Sequence, residues 1–182
     1  LCGKWHLGSQ APQRPIDRGF DRFYGLMDGC CNFFNPAQPD PPSKGRKTRV
    51  FGEDDRLITE FPEDFYTTDA FTTQDIAAIR QLHAEAKPFF LHLAYTAPHY
   101  PLHAPPADIA KYRGSYTMGW EALRRERYQR QLESGLFETP PALSEIDEKA
   151  YPWSEADQEW EDLRMATYAA MIERMDRRIG DL

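Results

Sequence analysis

The segment that most constrains the fold is an amphipathic stretch followed at once by a proline and a short apolar run. Residues 67–87 read TTDAFTTQDIAAIRQLHAEAK, and their apolar side chains recur at three- and four-residue spacing, which predicts a helix. Pro88 ends that helix, and the mostly apolar run 89–95, FFLHLAY, predicts a short strand of the kind buried in parallel sheets. A helix that leads into such a strand is half of a β-α-β unit, so the chain is predicted to have an α/β fold.

Weaker patterns on both sides of this unit extend the prediction. Residues 1–8 read as the end of a strand and a loop, and short strands are expected within the irregular residues 9–66. Helices are expected near 106–112 and 120–134, and a long helix is expected to start at Ser154. Its predicted buried stripe consists of Trp160, Leu163, Ala166, Met171, Ile172, Met175 and Ile179. We therefore expect part of a mixed or parallel sheet that is flanked by helices.

Composition limits the classes of partner. The 182 residues include 22 Lys and Arg against 29 Asp and Glu, which gives a net charge of −7, and 41% of them are hydrophobic. That balance is typical of a folded globular chain rather than a disordered one. An acidic chain argues against nucleic acid as the main partner, although a local positive charge can still bind a small anion. No run approaches the roughly 18 apolar residues that a membrane-spanning helix needs, so no membrane segment is predicted.

The three cysteines, Cys2, Cys30 and Cys31, are predicted to be free thiols. Their number is odd, no C-x-x-C motif is present, and no second group of Cys or His lies near the adjacent pair. Disulfide and zinc schemes are therefore disfavoured.

The hexapeptide GKWHLG, residues 3–8, carries the first candidate site. In an extended chain, side chains two apart share a face, so Lys4 and His6 are expected to point together while Trp5 and Leu7 point into a core. An ammonium group fixed beside an imidazole suits an anion whose ester bond is broken with a proton transfer. The alternative is a surface lysine beside a histidine that makes only a structural hydrogen bond.

The loop AYTAPHYPLHAP, at the end of the predicted strand, carries the second candidate site. In open α/β sheets, ligands bind at the carboxyl ends of the strands. His99 and His103 lie four residues apart, but the prolines around them disfavour a helix and therefore a zinc site with helical spacing. A loop stiffened by prolines would instead fix the direction of each imidazole. The alternative is a pair of turn histidines without chemistry.

Taken together, these stretches resemble the type I sulfatases of the alkaline-phosphatase superfamily. GKWHLG is similar to the second signature of that family, PFFLHLAYTAPHYPLHAP to its strand and histidine loop, and GFDRFYG to the segment after the signature. PEDFYTTDAFTTQDIAAI is similar to the start of a family helix, and the motifs occur in the family's order. The resemblance implies part of an alkaline-phosphatase-like sheet flanked by helices. It also implies that residues 1–182 are the central part of a single sulfatase catalytic domain, truncated at both ends.

The resemblance also implies roles for four residues. Lys4 would bind a sulfate oxygen and stabilise the anionic nucleophile, and His6 would hydrogen-bond a hydrated formylglycine and later take its proton. His99 would contact the sulfate and help to protonate the leaving alcohol or phenol. His103 lies outside the family's core set and is expected only as a substrate-pocket residue. The implied partner is a small-molecule sulfate ester.

The chain departs from the family pattern at the nucleophile and at the metal. The family forms formylglycine from the Cys or Ser of a C-x-P-S-R motif, and none of the three cysteines has that context. The acidic ligands of the family's Ca²⁺ are absent as well, so the nucleophile and the metal are expected outside this chain, which alone is expected to be inactive. Two alternatives stay open, namely a phosphonate or phosphate monoester hydrolase of the same superfamily and a non-catalytic scaffold.

Overall fold

A computed structural model describes residues 1–147 and 149–182. The chain divides into two compact units, one formed by residues 1–104 with 171–182 and the other by residues 105–170. The strands are β1 (Cys2–Lys4), β2 (Tyr24–Leu26), β3 (Phe51–Glu53), β4 (Arg56–Leu57) and β5 (Leu93–Ala94). The helices are α1 (Thr67–Ala84), α2 (Pro106–Ala110), α3 (Trp120–Glu133) and α4 (Gln158–Gly180).

The strands form one mixed sheet in the order β4-β3-β2-β1-β5. Strand β1 is parallel to both of its neighbours, β2 and β5, whereas β3 is antiparallel to β2 and to β4. Helix α1 lies against β1, β2 and β5. The predicted α/β class, with a mixed sheet flanked by helices, is therefore confirmed.

Two glycines allow the three parallel strands to approach closely. Gly3 of β1 has φ +113°, and a Cβ there would lie 2.0 Å from the carbonyl oxygen of Ala94 in β5. Gly25 of β2 has φ +149°, and a Cβ there would lie 2.0 Å from the carbonyl oxygen of Gly3. Only glycine fits both the backbone conformation and the space, so these positions fix β1 between its two neighbours.

Aromatic side chains dominate the core between the sheet and α1. The Phe51 ring from β3 stacks on Phe71 of α1, with a centroid distance of 6.0 Å and an angle of 10° between planes. Phe61 meets Phe51 edge-on at 5.2 Å. The buried members of this cluster are Cys2, Leu26, Cys31, Phe51, Phe65 and Phe71. The prediction of a helix in residues 67–87 is confirmed, since α1 spans Thr67–Ala84. Phe71 is the apolar side chain that the helix buries against the sheet, and its other buried residues are polar: Thr67, Thr68, Thr72 and Asp75.

Trp5, in the GKWHLG segment, is anchored by a second group of contacts next to β1. Trp5 meets the Phe20 ring edge-on at 6.2 Å and donates its indole N–H to the carbonyl of Gln13 at 2.8 Å. Leu7, in contrast, is 68% exposed, so the prediction that it points into a core is wrong. The reason is the φ of +58° at His6, which ends the extended alternation.

The strand predicted from FFLHLAY is shorter than expected. Regular pairing is limited to Leu93–Ala94, although the carbonyl of His92 accepts the Cys2 N–H at 2.9 Å. Phe90 is 76% exposed, so the first half of the run is not buried as predicted. Apolar composition alone therefore marked the position of the strand but not its length.

Asp162 organises the unit formed by residues 105–170. It is 3% exposed and accepts the backbone N–H groups of Gly114 at 2.8 Å and Tyr116 at 3.0 Å. The Trp120 ring meets Trp153 edge-on at 4.9 Å. The helices predicted near 106–112 and 120–134 are both present within this unit.

Helix α4 begins later than predicted. Asp157, not Ser154, lies at its start, where its carboxylate accepts the Trp160 N–H at 3.1 Å. The buried residues of the helix are Asp162, Ala166, Thr167, Ala170 and Met171. The predicted stripe is therefore partly wrong, because three of its large members, Trp160, Ile172 and Ile179, are exposed. Within the described residues, no helix is both long and apolar enough to cross a bilayer.

Candidate active site

The four predicted site residues lie on loops that leave one edge of the sheet. Strands β2, β1 and β5 are adjacent and parallel, so their carboxyl ends meet at the same edge. Lys4 is the last residue of β1 and His6 follows that strand, whereas His99 and His103 follow β5. This is the edge at which open α/β sheets bind ligands, so the topology supports the predicted grouping.

Lys4 offers a positive charge without a protein partner. It is the last residue of β1, where it pairs with Leu26 of β2, and its side chain is half-buried. Throughout residues 1–147 and 149–182, its ammonium makes no hydrogen bond or ion pair. An anion at this edge could therefore bind the ammonium without first breaking an ion pair.

His6 is held by its backbone and exposed at its side chain. Its N–H donates to the carbonyl of Met27 at 3.1 Å, which continues the pairing of β1 with β2 beyond the strand ends. The imidazole is exposed and forms no hydrogen bond with any described residue. Both ring nitrogens are therefore available for proton exchange with a ligand.

The tautomer of His99 is set by a hydrogen bond from one of its ring nitrogens. Its Nδ1 lies 2.7 Å from the carbonyl oxygen of Tyr100, and since a carbonyl can only accept, Nδ1 carries the proton. Its own backbone N–H donates to Thr96 at 3.0 Å, which holds the turn. The imidazole is exposed, so Nε2 is the atom left for exchange of a proton with a ligand.

His103 makes more contacts with the rest of the protein than the other three residues do. Its ring lies between Phe33 and Phe34, with centroid distances of 6.2 and 6.0 Å. Its Nδ1 accepts the Phe33 N–H at 3.4 Å, and its carbonyl accepts the Tyr66 hydroxyl at 2.9 Å. Burial lowers the pKa of His103, so the ring is neutral near pH 7 with its proton on Nε2.

Comparison with known proteins agrees with this architecture. The sequence profile of the family described as Sulfatase matches residues 1–182. The chain belongs to the sulfatase family. This sulfatase chain is 34% identical over 192 residues to an arylsulfatase of Klebsiella aerogenes, a match that covers 100% of the chain and 39% of the relative. It is 32% identical over 192 residues to an uncharacterized sulfatase of Schizosaccharomyces pombe, covering 99% of the chain and 34% of the relative.

A solved structure confirms the fold. The crystal structure of the protein named Ps i-CgsB, in complex with k-i-k-neocarrahexaose, matches with a TM-score of 0.58 and 26% sequence identity. The match covers 98% of the sulfatase chain and 31% of the solved one. The chain thus spans between about 30% and 40% of the length of the proteins it resembles.

The cysteines of the sulfatase chain do not fit the family's nucleophile. All three are free, as predicted, and Cys2 and Cys31 are buried. Burial raises the pKa of Cys31 to about 12 and raises that of Cys2 even further, which disfavours both thiolates. None of them lies in C-x-P-S-R, so the chain itself does not supply the residue from which formylglycine forms.

The residues present also do not fit a calcium site. In the part of the chain that the structure describes, no three His, Cys, Asp or Glu side chains come together in a group that could hold a metal ion. Ca²⁺ binds through six to eight oxygen ligands, which this edge of the sheet does not provide by itself. Calcium and formylglycine therefore stay expectations for the remainder of the protein.

Sequence reasoning missed the loop after β2, which joins both halves of the site. Asp28 accepts the Val50 N–H at 2.7 Å and the Lys47 ammonium at 2.8 Å. At the start of this loop, the carbonyl of Met27 accepts the backbone N–H of His6. Six residues later, the backbone N–H of Phe33 donates to Nδ1 of His103. No motif marks this loop in the sequence, because its role depends on the pairing of β2 with β1 and β3.

A buried carboxylate was also missed. Asp75 of α1 is 1% exposed, and its Oδ2 has no hydrogen-bond partner within the described residues. Burial raises the pKa of Asp75 to about 6. The signal was present in the sequence, since Asp75 follows Phe71 by four residues and so shares its face of the helix.

Proposed function

We propose that the protein is a sulfuric ester hydrolase of the arylsulfatase type. The observation that carries the proposal is the Lys4 ammonium, which has no partner within the described residues. It lies at the same carboxyl edge of three parallel strands as the exposed imidazoles of His6 and His99. One fixed cation and two proton-exchanging groups suit the hydrolysis of an anionic ester. Family membership supports sulfate as the anion.

Lys4 would bind a sulfate oxygen. Lys4 ends a strand that is hydrogen-bonded on both sides, so the backbone that carries the ammonium is fixed before the substrate arrives. Preorganised charge of this kind stabilises the negative charge that develops in the transition state.

His99 would protonate the oxygen of the leaving alcohol or phenol. The hydrogen bond from Nδ1 to Tyr100 orients the ring in both of its protonation states, so Nε2 is the atom that gives and regains the proton. His6 would take part in a second proton exchange, since its ring nitrogens have no partner within the described residues.

His103 would line the substrate pocket. The ring is neutral, so it would donate a hydrogen bond from Nε2 to a substrate oxygen rather than pair with a negative charge. The neighbouring ring of Phe34, which is 37% exposed, would offer an apolar surface to the organic part of the ester.

Formylglycine and Ca²⁺ belong to the proposal as groups supplied by the remainder of the protein. They would provide a nucleophile and a cation that holds sulfate oxygens. The described residues contain neither the modified position nor a metal-binding group.

Steady-state rates on matched substrates test the proposal. The whole protein is assayed with an aryl sulfate, the corresponding aryl phosphonate and phosphate, and a sulfated oligosaccharide. We expect kcat/KM to be highest for a sulfate ester and to fall in Lys4→Ala. A strong preference for the phosphonate or phosphate would favour the related hydrolase, and no turnover of any ester would favour the non-catalytic scaffold. Either result would overturn the proposal.

A further inference from the structure

We propose that Gly29 is a positioning residue that sets the place of the His6 imidazole in the candidate active site. The inference rests on the role given to His6 in the proposed function. It assigns a purpose to a glycine that no motif of the sequence marks, in the loop directly after β2.

A side chain at position 29 would overlap the tip of the His6 ring. A Cβ on Gly29 would lie 2.5 Å from Cε1, 2.5 Å from Nε2 and 3.1 Å from Cδ2 of His6, whereas ordinary contact begins at 3.4 Å. Restoring ordinary contact requires a shift of about 1 Å, and a misplacement of that size can cost on the order of 10²-fold in rate. The ring therefore occupies space that exists only because residue 29 is glycine.

The backbone of Gly29 does not itself require glycine. Gly3 and Gly25 have positive φ angles, but Gly29 does not, so alanine fits its backbone conformation without strain. The requirement at this position is consequently for space beside His6 and not for conformational freedom.

The backbone at Gly29 is held in place by the hydrogen bonds of its neighbour, Asp28. The preceding residue, Asp28, accepts the Val50 N–H at 2.7 Å through Oδ2 and the Lys47 ammonium at 2.8 Å through Oδ1. Burial opposes the charged form of Asp28, but these hydrogen bonds outweigh it and lower the pKa of the carboxyl. An ionised side chain directly beside position 29 thus holds the loop to the segment that precedes β3.

The His6 ring is the part that can move. The backbone of His6 is held by the hydrogen bond from its N–H to Met27, but its ring is exposed and has no hydrogen bond to a described residue. A methyl group at position 29 would therefore displace the imidazole and leave the fold in place.

A double-mutant cycle in the whole protein tests the inference. The variants are Gly29→Ala, His6→Ala and the combination of both, with Gly180→Ala as the matched control. Gly180 also lacks a positive φ, and a Cβ there meets nothing within 4 Å. We expect Gly29→Ala to lower kcat on the order of 10²-fold with an almost unchanged melting temperature. Added to His6→Ala, it should cause no further loss of kcat.

A second readout does not depend on activity. With histidine labelled at Cε1, the NMR signal of His6 is assigned by its loss in His6→Ala. We expect this signal to shift in Gly29→Ala and to stay in place in Gly180→Ala. An unchanged His6 signal in Gly29→Ala would overturn the inference, as would an equal loss of kcat from Gly29→Ala with and without His6.

The two readouts separate failure of the inference from failure of the proposed function. If His6→Ala leaves kcat unchanged, the catalytic role of His6 is wrong, and the NMR shift alone decides the contact with Gly29. If Gly29→Ala does not fold, recovery of folding in the combination with His6→Ala supports the contact. A combination that also does not fold contradicts it, because the obstacle would then be something other than the ring.

Discussion

The β1 loop, residues 4–8, and the β5 loop, residues 96–104, meet the same edge of the sheet but are built in opposite ways. In the β1 loop, the side chains of Lys4 and His6 have no hydrogen-bonding partner within the described residues. In the β5 loop, His99 and His103 each have Nδ1 engaged with a backbone group. The β1 loop thus presents side chains whose hydrogen bonds are left for a ligand to form. The β5 loop presents imidazoles whose tautomers are already set by the protein.

This difference predicts a graded response to mutation. Loss of the Lys4 charge, which has no partner within the described residues, should affect turnover most. Loss of the half-buried, hydrogen-bonded ring of His103 should affect stability more than turnover.

Lys4→Ala should have the largest effect on catalysis. Removing the cation at the end of β1 should lower kcat/KM for a sulfate ester by on the order of 10²-fold or more, because lost charge stabilisation is felt in the transition state. Steady-state kinetics of the whole protein measure this. Lys44→Ala is the control, since Lys44 is exposed and lies on a different loop. Equal kinetics for the two variants would remove Lys4 from the site.

His99→Ala should have an effect that depends on the leaving group. For an ester of a poorly acidic alcohol, kcat should fall on the order of 10²-fold, because the leaving oxygen needs a proton. For an ester of a strongly acidic phenol the loss should be much smaller. Rates across a series of aryl sulfates measure this dependence. A loss that is the same for every leaving group would show that His99 is not the acid.

His103→Ala should mainly reduce stability. The Phe33 N–H would lose its acceptor, and leaving a buried donor unpaired costs about 1–3 kcal/mol. We expect kcat/KM to change less than 10-fold, and urea unfolding of the whole protein to show the lower stability. A loss of turnover as large as that of Lys4→Ala, without loss of stability, would reverse the contrast between the two loops.

The same histidine predicts a sensitivity to acid. Because burial lowers the pKa of His103, the native state binds fewer protons than the unfolded state just below the usual histidine range. Stability from this group should therefore be lost as pH falls below about 6.5, and His103→Gln should lose less. Unfolding midpoints between pH 5 and 8 check the sign. A wild-type curve parallel to that of the variant would contradict it.

Asp75→Asn should leave turnover unchanged. Its effect on the pH dependence of stability should be opposite to that of His103, because the stability contributed by Asp75 falls as pH rises. Burial raises the pKa of Asp75 from 3.8 to about 6, so the native state binds more protons than the unfolded state between these values. Stability from this group falls as pH rises through that window. The variant should therefore gain stability relative to wild type as pH rises from about 4 to 7, as measured by urea unfolding. The exposed Asp64→Asn is the control, and an equal gain there would contradict the prediction.

The contrast between the two loops also marks what sequence could and could not predict. Period and proline placement were enough for the helix at 67–84, and the apolar run 89–95 marked the position of β5 but not its bounds. They could not predict the φ of +58° at His6 or the long-range hydrogen bond from its N–H to the carbonyl of Met27.

Long-range contacts account for the remaining differences. The half-buried ring of His103 packs against Phe33 and Phe34, about 70 positions earlier in the chain, and no local pattern encodes that approach. The start of α4 at Gln158 was missed for a local reason, since Ser154 and Asp157 are both capable caps and only Asp157 is used.

The most direct test of the account is a crystal structure of the whole protein with inorganic sulfate, the product of the proposed reaction. The account predicts a sulfate at the edge of β2, β1 and β5, with an oxygen within about 3 Å of the Lys4 ammonium and an imidazole of His6 or His99 in contact. Sulfate bound at another place, or a Lys4 ammonium that remains without an anion at saturating sulfate, would contradict the central claim.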